Sequence, residues 1–141
     1  MGMYTKASFI IPLKKDTPKN IKDNCYNLIE GDSELDGFDL PKHKFFETKR
    51  FWAFAGCNSF YFTGTSNSAV KYSDSYCGGC EDMVLHIDCD LKNYDDEIEL
   101  FLDWIKDYME TPTAGFIGYS LYEEDEKPTL YYLRNGKIVN E

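Results

Sequence analysis

Few residues in this chain have the types and spacing needed for chemistry, and most of them lie between positions 77 and 126. Cys77-Gly78-Gly79-Cys80 sets two thiols three positions apart, the spacing of a zinc knuckle or a redox pair. A structural zinc takes four ligands, yet no second CxxC or CxxH follows; Cys57, Cys89 and His86 are the side chains available to complete a set. A redox pair of the thioredoxin type needs a helix start to lower its thiol pKa. Here Glu81-Asp82 and then a strand pattern follow, so the local charge works the other way. The expectation is a tight Gly-Gly turn flanked by ordinary cysteines, with no metal and no other cofactor implied.

His86, Asp88 and Asp90 alternate along that strand and share one face, while Leu85, Ile87, Cys89 and Leu91 take the other. An imidazole beside two carboxylates suits acid–base work or a hard cation. No nucleophile stands on the same face, and the expectation is a solvated strand surface. His43 lies between Lys42 and Lys44 and reads as an exposed member of a basic patch. No phosphate-cradling glycine loop, HExxH, nucleophile elbow or EF-hand spacing is present. Nothing therefore argues strongly for an enzyme. A small enzyme or metal-dependent protein using His86, Asp88 and Asp90, or Cys77 and Cys80, remains the alternative.

Charge is the stronger signal. The 141 residues carry 25 acids against 15 Lys and Arg, a net of −10. Residues 81–126 hold fifteen of those acids against only Lys92 and Lys106, while the flanking segments are slightly positive. Such a chain has no surplus with which to neutralise phosphates, which argues against nucleic acid and against an anionic membrane. It suits a negative surface that steers a basic protein partner. The residues expected to meet that partner are Asp96 and Asp103 on a helix, and Tyr122, Glu123, Glu124 and Asp125 at a strand end. Tyr122 would be the aromatic anchor.

These residues need elements to hold them. Ala7, Phe9, Ile11 and Leu13 alternate as a first strand. Asp16-Thr17-Pro18 opens a helix carrying Ile21, Cys25, Leu28 and Ile29, which Gly31 ends. From Phe51 the period reads as two: Phe51–Ala55 and Phe60–Phe62 flank Gly56-Cys57-Asn58-Ser59 as a predicted hairpin. Val70-Lys71-Tyr72 reads as a short strand and Val84 to Leu91 as a clear one. Asn93 caps a second helix whose stripe is Ile98, Phe101, Leu102, Ile105, Tyr108 and Met109. Strands over Phe116–Tyr122 and Thr129–Leu133 follow, and Asn135-Gly136 turns the chain into a last strand through Ile138.

Two helices are too few to cover both faces of so wide a sheet. The expected architecture is one α+β domain over residues 1–141, a mostly antiparallel sheet of about five to seven strands with both helices on one face, a ferredoxin-like variant included. The open face would then offer Phe116, Tyr122 and Tyr132 as the lining of a small-ligand groove. The opening residues are too short an apolar run for a signal peptide, and no window reaches the length of a membrane span. Five cysteines without an export signal point to reduced thiols in the cytoplasm.

The second half, with Asp90-Leu91-Lys92-Asn93-Tyr94, Glu97-Ile98, Phe101-x-x-Trp104-Ile105, Gly118-Tyr119-x-x-Tyr122-Glu123-Glu124 and Pro128-Thr129-Leu130, resembles a set of small uncharacterised bacterial and prophage-type proteins. Phe45–Thr48 and Tyr61-Phe62 extend the resemblance, which spans about residues 40–133. It implies a self-standing domain and brings no activity with it. A protein-binding module, such as an immunity-type protein or a phage-type inhibitor, is the function expected.

Overall fold

The structure is a computed structural model and describes residues 3–31, 39–74, 81–110 and 114–141. Among the described residues, eight α-helices and β-strands follow one another: β1 (Thr5–Pro12), α1 (Lys19–Ile29), β2 (Ala69–Asp74), β3 (Glu81–Leu91), α2 (Glu97–Ile105), β4 (Phe116–Tyr122), β5 (Thr129–Arg134) and β6 (Lys137–Asn140). The six strands form one sheet in the order β2-β3-β1-β4-β5-β6, with every neighbouring pair antiparallel. β1 to β4 with the two helices have the order of a split β-α-β unit, the ferredoxin-like arrangement. β5 and β6 extend it through two hairpins.

Alternation decides which face is buried. Ala7, Phe9 and Ile11 of β1 stand opposite Cys89, Ile87 and Leu85 of β3, and all six are buried. The stripes of both helices, Ile21, Cys25 and Leu28 with Ile98, Phe101, Leu102 and Ile105, close the same core. Met109 extends the α2 stripe into the core, as the spacing predicts, and Tyr108 packs at its margin. The final turn also forms as its residues dictate. Asn135 and Gly136 both take positive φ, 53° and 73°, the pairing a two-residue hairpin turn needs.

The predicted hairpin over residues 51–62 does not form. Phe51–Ala53 is a short 3-10 turn, and the chain continues through turns to Phe62. Phe51 and Phe54 are drawn into the core around Phe45, whose ring also stands against those of Phe46, Phe101 and Trp104, with the Phe101 centroid at 5.4 Å, while Trp52, Phe60 and Tyr61 stay exposed. Phe51 and Phe54 turn inward three positions apart, a spacing a strand does not offer. Packing against α2 overrides the local strand pattern, as tertiary context commonly does for aromatic runs. Residues 57–68 then run beside β3 where β2 has ended: the Asp90 amide donates to the Cys57 carbonyl and the Asn67 amide to the Asp88 carbonyl.

Candidate functional site

The N-terminus of α2 is held from a distance. Asp96, next to the first helical residue, takes a left-handed conformation (φ 57°), and its side chain caps nothing. The cap comes instead from Asn93, whose Oδ1 accepts from the Ile98 amide at 2.9 Å while its Nδ2 donates to Glu99 Oε2 at 3.1 Å. Glu97 turns inward and accepts from the Asp95 amide. Burial raises its pKa, although its own amide and that of Asp95 oppose the shift.

Glu99 is exposed, yet it reaches back to the sheet. Its second oxygen accepts from the Tyr131 hydroxyl at 3.2 Å, and that hydroxyl also meets Ser120 Oγ at 3.1 Å. Burial pushes the Tyr131 pKa up to about 12; the Ser120 hydrogen bond lowers it, and the neighbouring carboxylate raises it further. Glu99, Tyr131 and Ser120 line an open cleft of about 360 Å³ together with Tyr94, Tyr122 and Asp125. Among the described residues, none that lines it is basic.

The acidic strand end beside this cleft is fixed by the backbone. The Glu123 amide donates to the Tyr4 carbonyl, the Glu123 carbonyl accepts from the Tyr61 hydroxyl at 2.8 Å, and the Asp125 amide donates to the Tyr122 carbonyl. These bonds hold the backbone from Tyr122 to Asp125. Desolvation first, then Glu124 and Glu123, raise the Tyr122 pKa. Asp96, at the start of α2, is exposed. Asp103 is not part of the group, since it lies seven residues further along the helix, about 10 Å in rise. It is paired there with Lys106 at 2.6 Å and His43 at 2.9 Å. His43, expected to be free in a basic patch, also accepts from the Phe45 amide through Nδ1.

His86, Asp88 and Asp90 share a face as their spacing predicts, but the face is not uniformly solvated. Asp90 is 0% exposed. Its Oδ2 accepts from the Ser59 amide at 3.0 Å, while Oδ1 faces Lys6 Nζ at 4.0 Å and has no hydrogen-bond partner. Lys6 also donates to Asp88 at 3.2 Å. The two carboxylates thus share one cation, and His86, its pKa lowered by burial and by Lys71, stands apart from that contact. Cys25 and Cys89 are buried thiols, the first pushed up to about 12 by desolvation. Among the described residues, no group of three or more His, Cys, Asp or Glu is placed to hold a metal ion. Cys77 and Cys80 lie outside the described residues.

The proposed aromatic groove on the open face is also divided. Phe116 and Tyr132 meet there at 5.6 Å, but Tyr122 points to the opposite, helix-bearing side. A bulge between Phe116 and Gly118 shifts the register of β4, which inverts the faces beyond it. Gly118 makes this possible: a Cβ there would meet the Ser8 carbonyl and the Phe9 ring. Asn93, Tyr94 and Tyr131 are cleft residues that sequence reasoning did not single out for binding. The cap at Asn93 marked the place, but the contact between Glu99 and Tyr131 joins positions 32 residues apart and has no local signal. No protein-family model, curated protein or solved structure matches the chain.

Proposed function

We propose that this protein is a protein-binding module for a basic partner, in the manner of an immunity-type protein or a phage-type inhibitor of small bacterial or prophage origin. One observation carries the reading: Glu99 and Asp125 open, with Tyr94 and Tyr122, onto a single cleft that, among the described residues, no basic side chain lines. A lysine or arginine side chain of the partner suits that chemistry, because ring faces and carboxylates both attract a cation. Glu123 and Glu124 beside the cleft add a field that speeds encounter. Asp96 contributes to that field, whereas Asp103 is already compensated and is left out of the binding set. Neither nucleic acid nor membrane belongs to this reading, and its setting is the cytoplasm. Among the described residues, no helix is long and apolar enough to cross a membrane.

The test begins with capture of the partner from source-cell lysate and identification of a stoichiometric basic protein. Association kinetics are then measured with the wild-type chain and with the triple variant Glu123→Lys, Glu124→Lys, Asp125→Lys. The triple reversal should slow association on the order of tenfold at low salt and flatten its salt dependence. An unchanged rate and an unchanged salt slope would exclude the acidic turn from binding.

A further inference from the structure

A second cleft, of about 410 Å³, adjoins the first and has the opposite charge; Tyr4, Arg50, Trp52, Cys57, Asn58 and Lys92 line it. Consecutive residues serve the two clefts. Met3, Thr5, Asn93 and Tyr94 line the acidic one, while Tyr4 and Lys92 line the other. Among the described residues, those lining this second cleft include no acid.

Its two cations are placed in an unusual way for so acidic a chain. Among the described residues, neither Arg50 nor Lys92 has a carboxylate within ion-pair distance. Each lies over a tyrosine ring instead: the Arg50 guanidinium carbon is 5.8 Å from the Tyr94 centroid, and Lys92 Nζ is 5.5 Å from that of Tyr4. A ring face attracts the charge without accepting the N–H donors in the plane of a guanidinium or the turned-away protons of an ammonium. Those donors remain available to an anion, and the arginine fork matches carboxylate or phosphate oxygens in pairs. Glu97 feels the charge of Arg50, but it is buried and bound to backbone.

The rest of the cleft gives shape. Trp52 is 48% exposed, yet its indole N–H donates to the Lys49 carbonyl at 3.2 Å, which sets the ring as a flat wall. The floor is anchored to β3: the Cys57 carbonyl accepts from the Asp90 amide, and the next turn donates through Ser59 to the buried Asp90 carboxylate. The Cys57 thiol donates to the Ala53 carbonyl at 3.1 Å. Burial raises its pKa against the pull of Arg50 and Lys92, so it puts no negative charge in the way of an anion.

We propose that this cleft binds a small planar organic anion, its carboxylate or phosphate head held by Arg50 and Lys92 and its ring laid against Trp52. The proposal does not depend on the acidic cleft or its partner. It is tested by following the Trp52 indole resonance and the Cys57 and Asn58 amides of the full chain by NMR, with phenyl phosphate, benzoate, inorganic phosphate and benzylamine as probes. Phenyl phosphate or benzoate should shift these resonances saturably at millimolar concentration, and the tighter of the two identifies the head group. The double variant Arg50→Gln, Lys92→Gln should weaken that binding by roughly tenfold or more. Trp52→Ala, a surface change unlike any in the core, should weaken the ring-bearing anions toward the affinity of inorganic phosphate. The proposal is overturned if neither aromatic anion gives a saturable shift, if benzylamine shifts the same resonances equally, or if the folded double variant binds as the wild type does.

Discussion

The acidic and basic clefts are built from neighbouring residues at one end of the sheet, and they differ in what orients their charges. In the acidic cleft, neutral donors hold the Glu99 carboxylate, Asn93 on one oxygen and Tyr131 on the other. In the basic cleft, ring faces hold Arg50 and Lys92. Both arrangements fix a charge without cancelling it. Other charges are paired internally, as in Lys6 shared by Asp88 and Asp90 or in Asp103 held by Lys106 and His43. The net of −10 therefore describes neither cleft. What a surface offers an outside ligand is the charge its own fold leaves uncompensated.

The largest expected effect strikes both clefts at once. Phe45 centres the ring cluster that seats residues 46–54 against α2, and thereby positions Arg50 and Trp52 on one side and the α2 residues on the other. Phe45→Ala should cost about 3–5 kcal/mol in denaturant unfolding. A loss below about 1 kcal/mol would mean that the cluster is not what couples the two sites.

Smaller changes should separate them. Asp90→Ala removes the acceptor of the Ser59 amide and one counter-charge of Lys6. It should cost about 1–3 kcal/mol and move the Cys57 and Asn58 amide resonances while those around Tyr122 stay in place. Tyr131→Phe removes one donor to Glu99 and a contact to Ser120. Its cost should be nearer about 1 kcal/mol, with shifts confined to the acidic cleft. If either variant disturbs both sets of resonances equally, the clefts are one unit rather than two.

Much of the frame was legible because it rests on short-range patterns. The alternation of Ala7, Phe9 and Ile11, the α2 stripe and the Asn135-Gly136 turn each specify their element within a few residues. The failures occur where a distant contact decides. Phe116 and Tyr122 are six apart and share a face in any regular strand; the bulge that separates them exists because Gly118 lets β4 press against β1. Asp90 alternates like a solvated residue, yet the turn carrying Ser59 covers it. The first predicted strand at 51–55 fails for the same reason, since Phe51 and Phe54 are claimed by Phe45 and α2; Phe60 and Tyr61 of the second are exposed. The acid surplus was plain from composition, whereas the basic cleft was not, because Arg50 and Lys92 are brought together only by the fold.

The smallest effect tests the distinction between compensated and uncompensated acids directly. Hydrogen bonds from Lys106 and then His43 hold the Asp103 carboxyl below its ordinary range. A carboxyl depressed in the folded state stabilises the protein above its unfolded value, near about 4. That contribution is lost as the pH falls through the lower folded value, where both states are protonated. Asp103→Asn should therefore cost something at pH 7, and the gap from wild type should close on acidification. Because the Asp103 side chain is 59% exposed, solvent screening keeps the cost to about 0.5 kcal/mol, and added salt should shrink it further. Glu124→Gln, which removes a charge from a run of like charges, should instead leave stability at pH 7 unchanged or slightly raised. Urea midpoints for the two variants and wild type across a pH series decide the matter. A gap for Asp103→Asn that persists at low pH, or a loss for Glu124→Gln equal to it, would show that pairing does not divide these acids into two kinds.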